Sequence, residues 1–271
     1  MEIRTVSNSK LIDKCNRHLN YLRISITDRC NLQCRYCVPQ DLIPKLSHRE
    51  ILTYEEILRV VRIATRLGIS KVRVTGGEPL VRKGVYDFFM ELVTTEGLKD
   101  VSLTTNGVLL KDNLVKIQSA GITRINVSLD TLNRKKYLEI TGYDDFDRVW
   151  QGIEKAHEMG FYPIKLNMVA LDGVNDDELV EMARLSFRYP FHVRFIEYMP
   201  IGQSDFDTTS LLLAPEIKDR ISTIGNLVPV QGIEHDGPVG AVERHTDRFG
   251  ICGCLRAVSY THLTLPTTPY V

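Results

Sequence analysis

The chain has 271 residues, of which 43% are hydrophobic, and its 34 basic residues balance its 34 acidic residues. This length suits one large domain, or one domain with a small extension, and the hydrophobic fraction is enough for a full core. The balanced charge gives no reason to expect a nucleic acid or a membrane surface as partner. No apolar run approaches the ~20 residues of a transmembrane helix.

The start of the chain and its thiols indicate a cytoplasmic protein. Residues 1–5 lack the apolar core of a signal peptide. Six cysteines are spread over the chain. Because no export signal is present, we expect them to be thiols in a reducing cytosol and not a disulfide framework.

Short apolar strands alternate with amphipathic helices along the chain. The first strand is expected at Leu22–Ile26, and Thr53 with Glu56 forms a capping box for a helix that Gly68 ends. Five strands and four helices are predicted to follow. The strands are 71–75, 101–104, 124–129, 164–169 and 192–196, and the helices are 86–94, 112–120, 146–159 and 176–188.

Regular alternation of strands and helices implies parallel strands joined by right-handed crossovers. Six such units are two short of a closed (β/α)8 barrel. The sequence therefore predicts an α/β fold, an open TIM-like (β/α)6 partial barrel. Functional residues of such folds gather at the carboxyl ends of the strands.

Distinctive polar or glycine-rich segments begin where five of the predicted strands end. They are the cysteine segment 28–37, Gly76-Gly77-Glu78, Thr104-Thr105-Asn106, Ser128-Leu129-Asp130 and Glu197-Tyr198-Met199-Pro200. In a parallel sheet the carboxyl ends of the strands form one edge, which we call the rim, and all five segments would lie on it. Five such segments at one edge are hard to attribute to chance. We therefore expect this rim to form the functional site.

Cys30, Cys34 and Cys37 are spaced C-x3-C-x2-C. Three thiolates within eight residues can bind one soft metal centre. They are one too few for a four-thiolate cluster, so one iron of a [4Fe–4S] cube would stay open to a substrate or cofactor. A structural zinc site is the alternative, but such sites normally have four ligands, and no Cys or His follows Cys37 before His48.

The cysteine spacing, with Tyr36 directly before the last cysteine, resembles the signature of the radical S-adenosylmethionine (SAM) superfamily. In that superfamily the open iron chelates the amino and carboxylate groups of SAM. The resemblance implies that Cys30, Cys34 and Cys37 bind a [4Fe–4S] cluster and that SAM is a cofactor. It also implies the same partial-barrel fold.

Further segments make the chain similar to the GTP 3′,8-cyclase family, which catalyses the first step of molybdenum cofactor biosynthesis. The similarity runs from about residue 22 to residue 202 and is carried by segments 75–80, 104–107, 126–130, 165–167 and 194–202. The SAM contacts that the resemblance implies are Tyr36, Gly77, Ser128 and Met199. The GTP contacts that it implies are Arg23, Arg73, Thr104 and Lys165.

The chemistry of these residue types suits a nucleoside triphosphate. Arg23, Arg73 and Lys165 are three cations on three strands, expected at the strand ends, and Arg can bind phosphate oxygens bidentately. A charge buried within a parallel sheet is costly without a partner, and a bound polyphosphate would be that partner. Gly76 and Gly77 would let the backbone approach the SAM amino group closely.

The resemblance also implies a mechanism and partners. In the family the reduced cluster cleaves SAM to a 5′-deoxyadenosyl radical, which takes the 3′ hydrogen of GTP, and C3′ then attacks C8 of guanine. The product is 3′,8-cyclo-7,8-dihydro-GTP, and the protein's part is to exclude water and hold C3′ in place. The implied partners are an electron donor, a downstream cyclic pyranopterin monophosphate synthase and a second copy of the chain.

The carboxyl-terminal region departs from the family pattern. The family holds a second [4Fe–4S] cluster with a C-x2-C pair and a third cysteine, whereas Cys252 and Cys254 here are spaced C-x-C. We expect three regions: a radical SAM core at 1–202, an extension at 203–257 whose family pattern is lost after about 237, and a non-native tail at 258–271 that resembles translated sequencing adaptor. On this interpretation the chain is a truncated cyclase that cyclises GTP poorly or not at all.

Two alternatives remain open at this point. The chain could be another radical SAM enzyme, such as a peptide-modifying maturase, but the cations Arg23, Arg73 and Lys165 favour a triphosphate. It could also be a non-catalytic metal-binding module in which the cysteines are structural. The placement of the other segments at strand ends favours an enzyme.

Overall fold

A computed structural model of the chain describes residues 11–12, 18–37, 46–47, 49–198, 211–225, 227–229, 242–246 and 252–258, with the backbone alone at 228–229, 242–246 and 252–258. Strands β1–β6 are Tyr21–Ser25, Lys71–Thr75, Asp100–Thr105, Arg124–Ser128, Ile164–Ala170 and Phe191–Glu197. Helices α1–α7 are Tyr54–Arg66, Val85–Val93, Leu110–Ser119, Arg134–Thr141, Phe146–Glu158, Leu179–Arg188 and Ala214–Ser222. Strands β7–β9 are Val228–Pro229, Val242–Thr246 and Cys252–Val258.

The first helix shows how local sequence sets an element boundary. The Thr53 hydroxyl accepts from the Glu56 amide at 3.3 Å, and the Glu56 carboxylate accepts from the Thr53 amide at 2.7 Å. This is the predicted capping box, which satisfies amides that the first turn leaves without helical partners. Ile57, Leu58 and Val61 then form the buried face of α1.

Strands β1 to β6 are parallel and lie in chain order, as the alternation of strands and helices predicted. In the described part of the chain the sheet does not close, because β1 lies at one edge and β7 at the other. The prediction of an open α/β partial barrel is therefore confirmed.

Three parts of the fold were not predicted: α4, α7 and the strands after β6. Helix α4 lies between β4 and α5, where the sequence analysis proposed no element. No strand was predicted after β6, yet β9 pairs with β6 in parallel and β8 pairs with β9 in antiparallel fashion. Pairing of β9 covers backbone groups of β6 that would otherwise form an unpaired edge.

Alternation along each strand gives the sheet two different faces. The outer face is apolar and packs against the helices to form the core, with buried strand residues that include Val72, Val74, Leu103, Ile125, Val127 and Leu166. The inner face carries the intervening polar residues, which include Arg73, Ser102, Asn126 and Lys165. The fold thus surrounds a polar interior with an apolar layer.

None of the helices in these described ranges is long and apolar enough to cross a lipid bilayer.

Shortening a core side chain on β3 should destabilise the fold strongly. Leu103 is fully buried, so Leu103→Ala should lower the free energy of unfolding by about 2–5 kcal/mol through lost burial and a residual cavity. Urea unfolding followed by circular dichroism measures this change. As the control, Val115→Ala on α3 removes a side chain that is 64% exposed and should change stability by less than about 0.5 kcal/mol.

Candidate active site

The carboxyl ends of the first four strands bring the distinctive segments together on one rim, as predicted. The cysteine segment follows β1, Gly76–Glu78 follows β2, Asn106 follows β3 and Asp130 lies two residues after β4. The fifth segment starts at Glu197, the last residue of β6, but Met199 lies outside the described residues.

The turn after β2 and the lead into the cysteine segment are joined backbone to backbone. The Gly77 amide donates to the Thr27 carbonyl at 2.7 Å, and the Glu78 amide donates to the Arg29 carbonyl at 2.8 Å. A Cβ atom on Gly77 would lie 2.3 Å from the Arg29 carbonyl oxygen. Gly77 is therefore needed so that the turn can approach the chain's own cysteine segment, a requirement separate from its predicted contact with SAM.

Glu78 is a buried carboxylate that holds the ends of β2 and β3 together. Its Oε1 accepts from the Leu80 amide at 3.0 Å, its Oε2 accepts from the Asn106 amide at 2.7 Å, and the Thr105 hydroxyl donates to both oxygens. Burial raises the pKa of Glu78 to about 7, while these hydrogen bonds act in the opposite direction. The Glu78 carboxylate is thus occupied by hydrogen bonds from the protein itself, and its role is to hold these strand ends in position.

The three thiols differ in exposure. Cys30 and Cys34 are half-buried, whereas Cys37 is exposed. Burial raises the pKa of the Cys30 thiol and of the Cys34 thiol, and Cys37 adds to both shifts, so the sulfur atoms are near enough for their charges to interact. Such thiols favour a positively charged iron centre over remaining as isolated thiolates.

The three thiols are compatible with a multi-iron cluster. Within the described ranges, no group of three or more His, Cys, Asp or Glu side chains could hold one metal ion. A four-iron cube offers a separate iron to each thiolate, so its three ligands need not converge on one point.

Tyr36 anchors the cysteine segment to the far side of the rim. Its hydroxyl donates to Asp130 Oδ2 at 2.7 Å, and Asp130 Oδ1 accepts from the Val169 amide at 2.9 Å. Burial raises the pKa of Asp130 to about 6, and the two hydrogen bonds oppose that shift. The Tyr36 side chain therefore links the thiol loop to β4 and β5, a role that the sequence analysis did not identify.

Helix α4 supports the same segment from below. The Gln33 amide donates to the Thr141 carbonyl at 3.0 Å, and the Arg35 amide donates to the Ile140 carbonyl at 2.9 Å. These carbonyls belong to the last turn of α4, where carbonyl groups lack helical partners. Helix α4, which the sequence analysis did not predict, therefore helps to hold the cysteine segment in place.

Arg82 joins the two chain stretches that lie before and after the cysteine segment. Its guanidinium donates to the Ile26 carbonyl at 2.5 Å and to the Leu52 carbonyl at 2.7 Å, and it stacks 4.1 Å from the centre of the Tyr54 ring. Residues 26 and 52 flank the stretch that carries the three thiols. The sequence shows only a charged residue at this position, which gave no reason to single out Arg82.

The four predicted GTP contacts share the inner face of the sheet. Arg23 lies opposite Arg73 in the β1–β2 register, and Asn126 lies opposite both Thr104 and Lys165. The expectation that the cations lie at strand ends was wrong. Arg23 and Arg73 are each third in a five-residue strand, and Lys165 is the second residue of β5, so the cations lie below the rim.

The inner face carries several cations, and one of them, Arg73, lacks a hydrogen-bond partner for a buried nitrogen. Arg73 Nε is buried without a hydrogen-bond partner, and its guanidinium lies 5.2 Å from the centre of the Tyr21 ring. Arg23 is partly exposed to solvent. Desolvation by the surrounding protein nevertheless lowers the pKa of its guanidinium, and the positive charge of Arg73 lowers that pKa further. Lys165 is 6% exposed. An anion bound here would supply the missing partner of Arg73.

Ser128, the predicted SAM contact on β4, ends its strand half-buried opposite Asn167. It occupies the same inner face as Asn126, two residues closer to the rim. The structure therefore places Ser128 between the cationic interior and the thiol rim, although no contact with SAM follows from that position alone.

Comparisons with known proteins agree with this arrangement. The Radical SAM superfamily profile matches residues 24–186. The chain is 47% identical to the GTP 3′,8-cyclase of Thermodesulfovibrio yellowstonii over 228 residues, which cover 83% of this chain and 70% of that protein. It is also 47% identical to the GTP 3′,8-cyclase of Moorella thermoacetica over 226 residues, with the same two coverages.

Solved structures support the fold. The crystal structure of Streptococcus suis SuiB bound to S-adenosylmethionine matches with a TM-score of 0.63 at 20% identity, over 76% of this chain and 47% of that chain. At this identity the likeness concerns the fold and not the substrate.

Adding one carbon to Gly77 should displace the cysteine segment. In Gly77→Ala the new methyl group would overlap the Arg29 carbonyl, so we expect a loss of most iron after anaerobic reconstitution, measured as iron per chain. The control is Gly160→Ala, whose Cβ meets nothing within 4 Å and which carries only the cost of its left-handed backbone. Equal iron contents in the two variants would contradict the proposed role of Gly77.

Titration of Glu78 should make the iron-free chain less stable as pH rises. Its pKa is about 7 in the folded chain and 4.5 without burial, so between these values the folded state binds the extra proton. The free energy of unfolding should therefore fall from pH 4.5 to pH 7, by on the order of 3 kcal/mol from this group.

Urea unfolding at several pH values measures this slope, and Glu78→Gln, which cannot titrate, should reduce it. A smaller slope should remain from Asp130, whose pKa burial raises to about 6. The control is Glu158→Gln at the exposed end of α5, which should leave the slope unchanged. A slope that is as steep in Glu78→Gln as in the parent chain would show that Glu78 is not its source.

Proposed function

Because the chain belongs to the radical SAM superfamily and, within it, to the GTP 3′,8-cyclase family, we propose that it converts GTP into 3′,8-cyclo-7,8-dihydro-GTP in molybdenum cofactor biosynthesis. The observation that carries this function is the juxtaposition of two features on the same strands. A rim with three thiols lies at their carboxyl ends, and an undercompensated cationic face lies directly below it.

A [4Fe–4S] cluster and SAM are the cofactors of this superfamily. We assign Cys30, Cys34 and Cys37 as the cluster ligands, with the remaining iron left for SAM. When bound, this pair supplies the one-electron chemistry that removes a hydrogen atom from the substrate. The proposed SAM contacts are Tyr36, Gly77, Ser128 and Met199.

The chain's own residues bind and orient the substrate. Arg23, Arg73 and Lys165 would donate to phosphate oxygens, and the Thr104 hydroxyl would add a neutral donor on the same face. A nucleotide held there lies beneath the thiol rim, and the surrounding sheet limits the access of water. Positioning in a dry site is the main contribution that a protein makes to such a reaction.

Several finer assignments extend this proposal. A reductant must supply electrons, and the consumer of the product would be a cyclic pyranopterin monophosphate synthase. We propose a cytoplasmic location, where thiols stay reduced, and a homodimer as the assembly. Cys252 and Cys254 do not reproduce the C-x2-C spacing of the family's second cluster, so we assign this chain one cluster.

A peptide-modifying activity has less support. The structures of peptide-binding relatives, such as Streptococcus suis SuiB with its precursor peptide SuiA, share 20% identity with this chain and indicate only a common fold. The cations of the inner face match a polyphosphate better than a peptide.

Reconstitution under anaerobic conditions tests the proposed activity directly. We expect about four irons per chain and cleavage of SAM. With GTP we expect only a low yield of cyclised nucleotide, because this chain is assigned a single cluster. Iron content, free 5′-deoxyadenosine and the nucleotide product are measured in parallel with and without GTP. A colourless, zinc-loaded protein that is indifferent to SAM would refute the assignment.

Removing Arg73 should have opposite effects on stability and on GTP binding. Arg73→Met removes a half-buried guanidinium whose buried Nε lacks a hydrogen-bond partner, so the ligand-free chain should become more stable. GTP should bind roughly tenfold more weakly, because a phosphate donor is lost. Thermal unfolding and equilibrium binding of GTP measure the two effects. The control is Arg148→Met, which removes an exposed guanidinium paired with Asp112 and should leave GTP affinity unchanged. Unchanged GTP affinity in Arg73→Met would remove this residue from the binding site.

A further inference from the structure

We infer that Asn106 is a positioning residue for the iron–sulfur chemistry: its side-chain amide donates to the sulfur of Cys30 and makes the cluster easier to reduce. The inference rests on the proposed function in one respect, that Cys30 is a cluster ligand. Asn106 lies just after β3, so the contact joins the third strand to the loop that follows the first.

The orientation of the Asn106 amide follows from its hydrogen bonds. Its Oδ1 accepts from the Val108 amide at 3.1 Å, so Nδ2 must point the other way. There Nδ2 donates to Asn31 Oδ1 at 2.7 Å and lies 3.7 Å from Cys30 Sγ. An amide nitrogen carries two protons, and these two acceptors use both of them.

Asn106 is held rigidly enough for this contact to persist. Its backbone amide donates to the buried Glu78 carboxylate at 2.7 Å, and the next amide, of Gly107, donates to the Thr105 hydroxyl at 3.1 Å. Thr105 in turn donates to Glu78. The residue is therefore fixed at its backbone and at both ends of its amide, as a group that supports a metal ligand should be.

Cys30 receives a second hydrogen bond from the backbone. The Leu32 amide donates to its sulfur at 3.4 Å. That donor is retained in any side-chain variant, whereas the Asn106 donor can be removed. Both donors favour negative charge on the Cys30 sulfur, whereas burial and the nearby Glu78 charge oppose it and raise the pKa of the thiol.

Hydrogen bonds to ligand sulfurs are one of the means by which a protein sets a cluster's reduction potential. One-electron reduction adds a negative charge that spreads onto the thiolate sulfurs, so an N–H donor stabilises the reduced form more than the oxidised form. Partial burial strengthens the effect, because fewer water molecules screen it. Losing the donor should therefore shift the midpoint potential to more negative values.

Two variants of similar shape test the inference in the reconstituted full chain. Asn106→Leu removes the amide without adding charge, and Asn106→Asp keeps the acceptor for Val108 but loses the donor to Cys30. In each, the equilibrium constant for reduction should fall at least about threefold, which is roughly 30 mV for one electron. Redox titration monitored by electron paramagnetic resonance measures the midpoint potential.

The control variant is Asn113→Asp on α3. It makes the same change of charge and also removes an amide donor, here to the Leu109 carbonyl at 2.8 Å, away from the thiols. It should leave the potential near that of the parent chain. A parent-like potential in Asn106→Leu, or an equal shift in Asn113→Asp, would overturn the inference.

A measurement on the unmodified chain covers the case in which the variants fail to bind iron. With asparagine labelled by ¹⁵N in its side chain, pulsed electron paramagnetic resonance of the reduced cluster should detect a coupled ¹⁵N nucleus, and its absence would refute the contact. A parent chain without any iron–sulfur signal would overturn the proposed function together with this inference. A normal parent signal with unshifted variants would overturn the inference alone.

Discussion

The site depends on one close backbone contact, between the turn after β2 and the lead into the cysteine segment. Two main-chain hydrogen bonds join them, and the space beside Gly77 is too small for a Cβ atom. Because the contact is made by backbone, it places the thiol loop relative to the sheet without relying on side-chain rotamers. The other supports of that loop, from Tyr36, Arg82 and α4, act on a segment whose start is already set.

The polar groups of the rim and of the interior are satisfied in different ways. At the rim, the buried carboxylates of Glu78 and Asp130 each accept hydrogen bonds from neighbouring strand ends and loops. In the interior, Arg73 keeps a buried nitrogen without a partner. A network in which every polar group has a partner is rigid. A cation with an unpaired buried nitrogen carries a desolvation penalty, which an anionic ligand can offset. This contrast agrees with a rigid cofactor rim above a substrate site.

Sequence reasoning succeeded where a pattern is local or periodic. The six parallel strands, the capping box of α1 and the segments at the ends of the first four strands all depend on short-range patterns, and the structure confirms them. It failed for α4, whose first turn lacks acidic residues and whose charged sequence gives a weak apolar stripe. It also failed for β9, because that strand exists through its pairing with β6, a contact between distant parts of the chain.

The sequence alone determined the donor set and the order of the strands, because cysteine spacing and β–α alternation are written in neighbouring residues. It also indicated the family, since the motifs occur in a specific order. Only the tertiary structure showed that the cations lie below the rim and that the Glu78 carboxylate accepts hydrogen bonds from backbone amides. It alone showed that Asn106 reaches Cys30 across 76 residues of chain. Such contacts depend on how strands pair and how closely loops approach, and no local pattern encodes these distances.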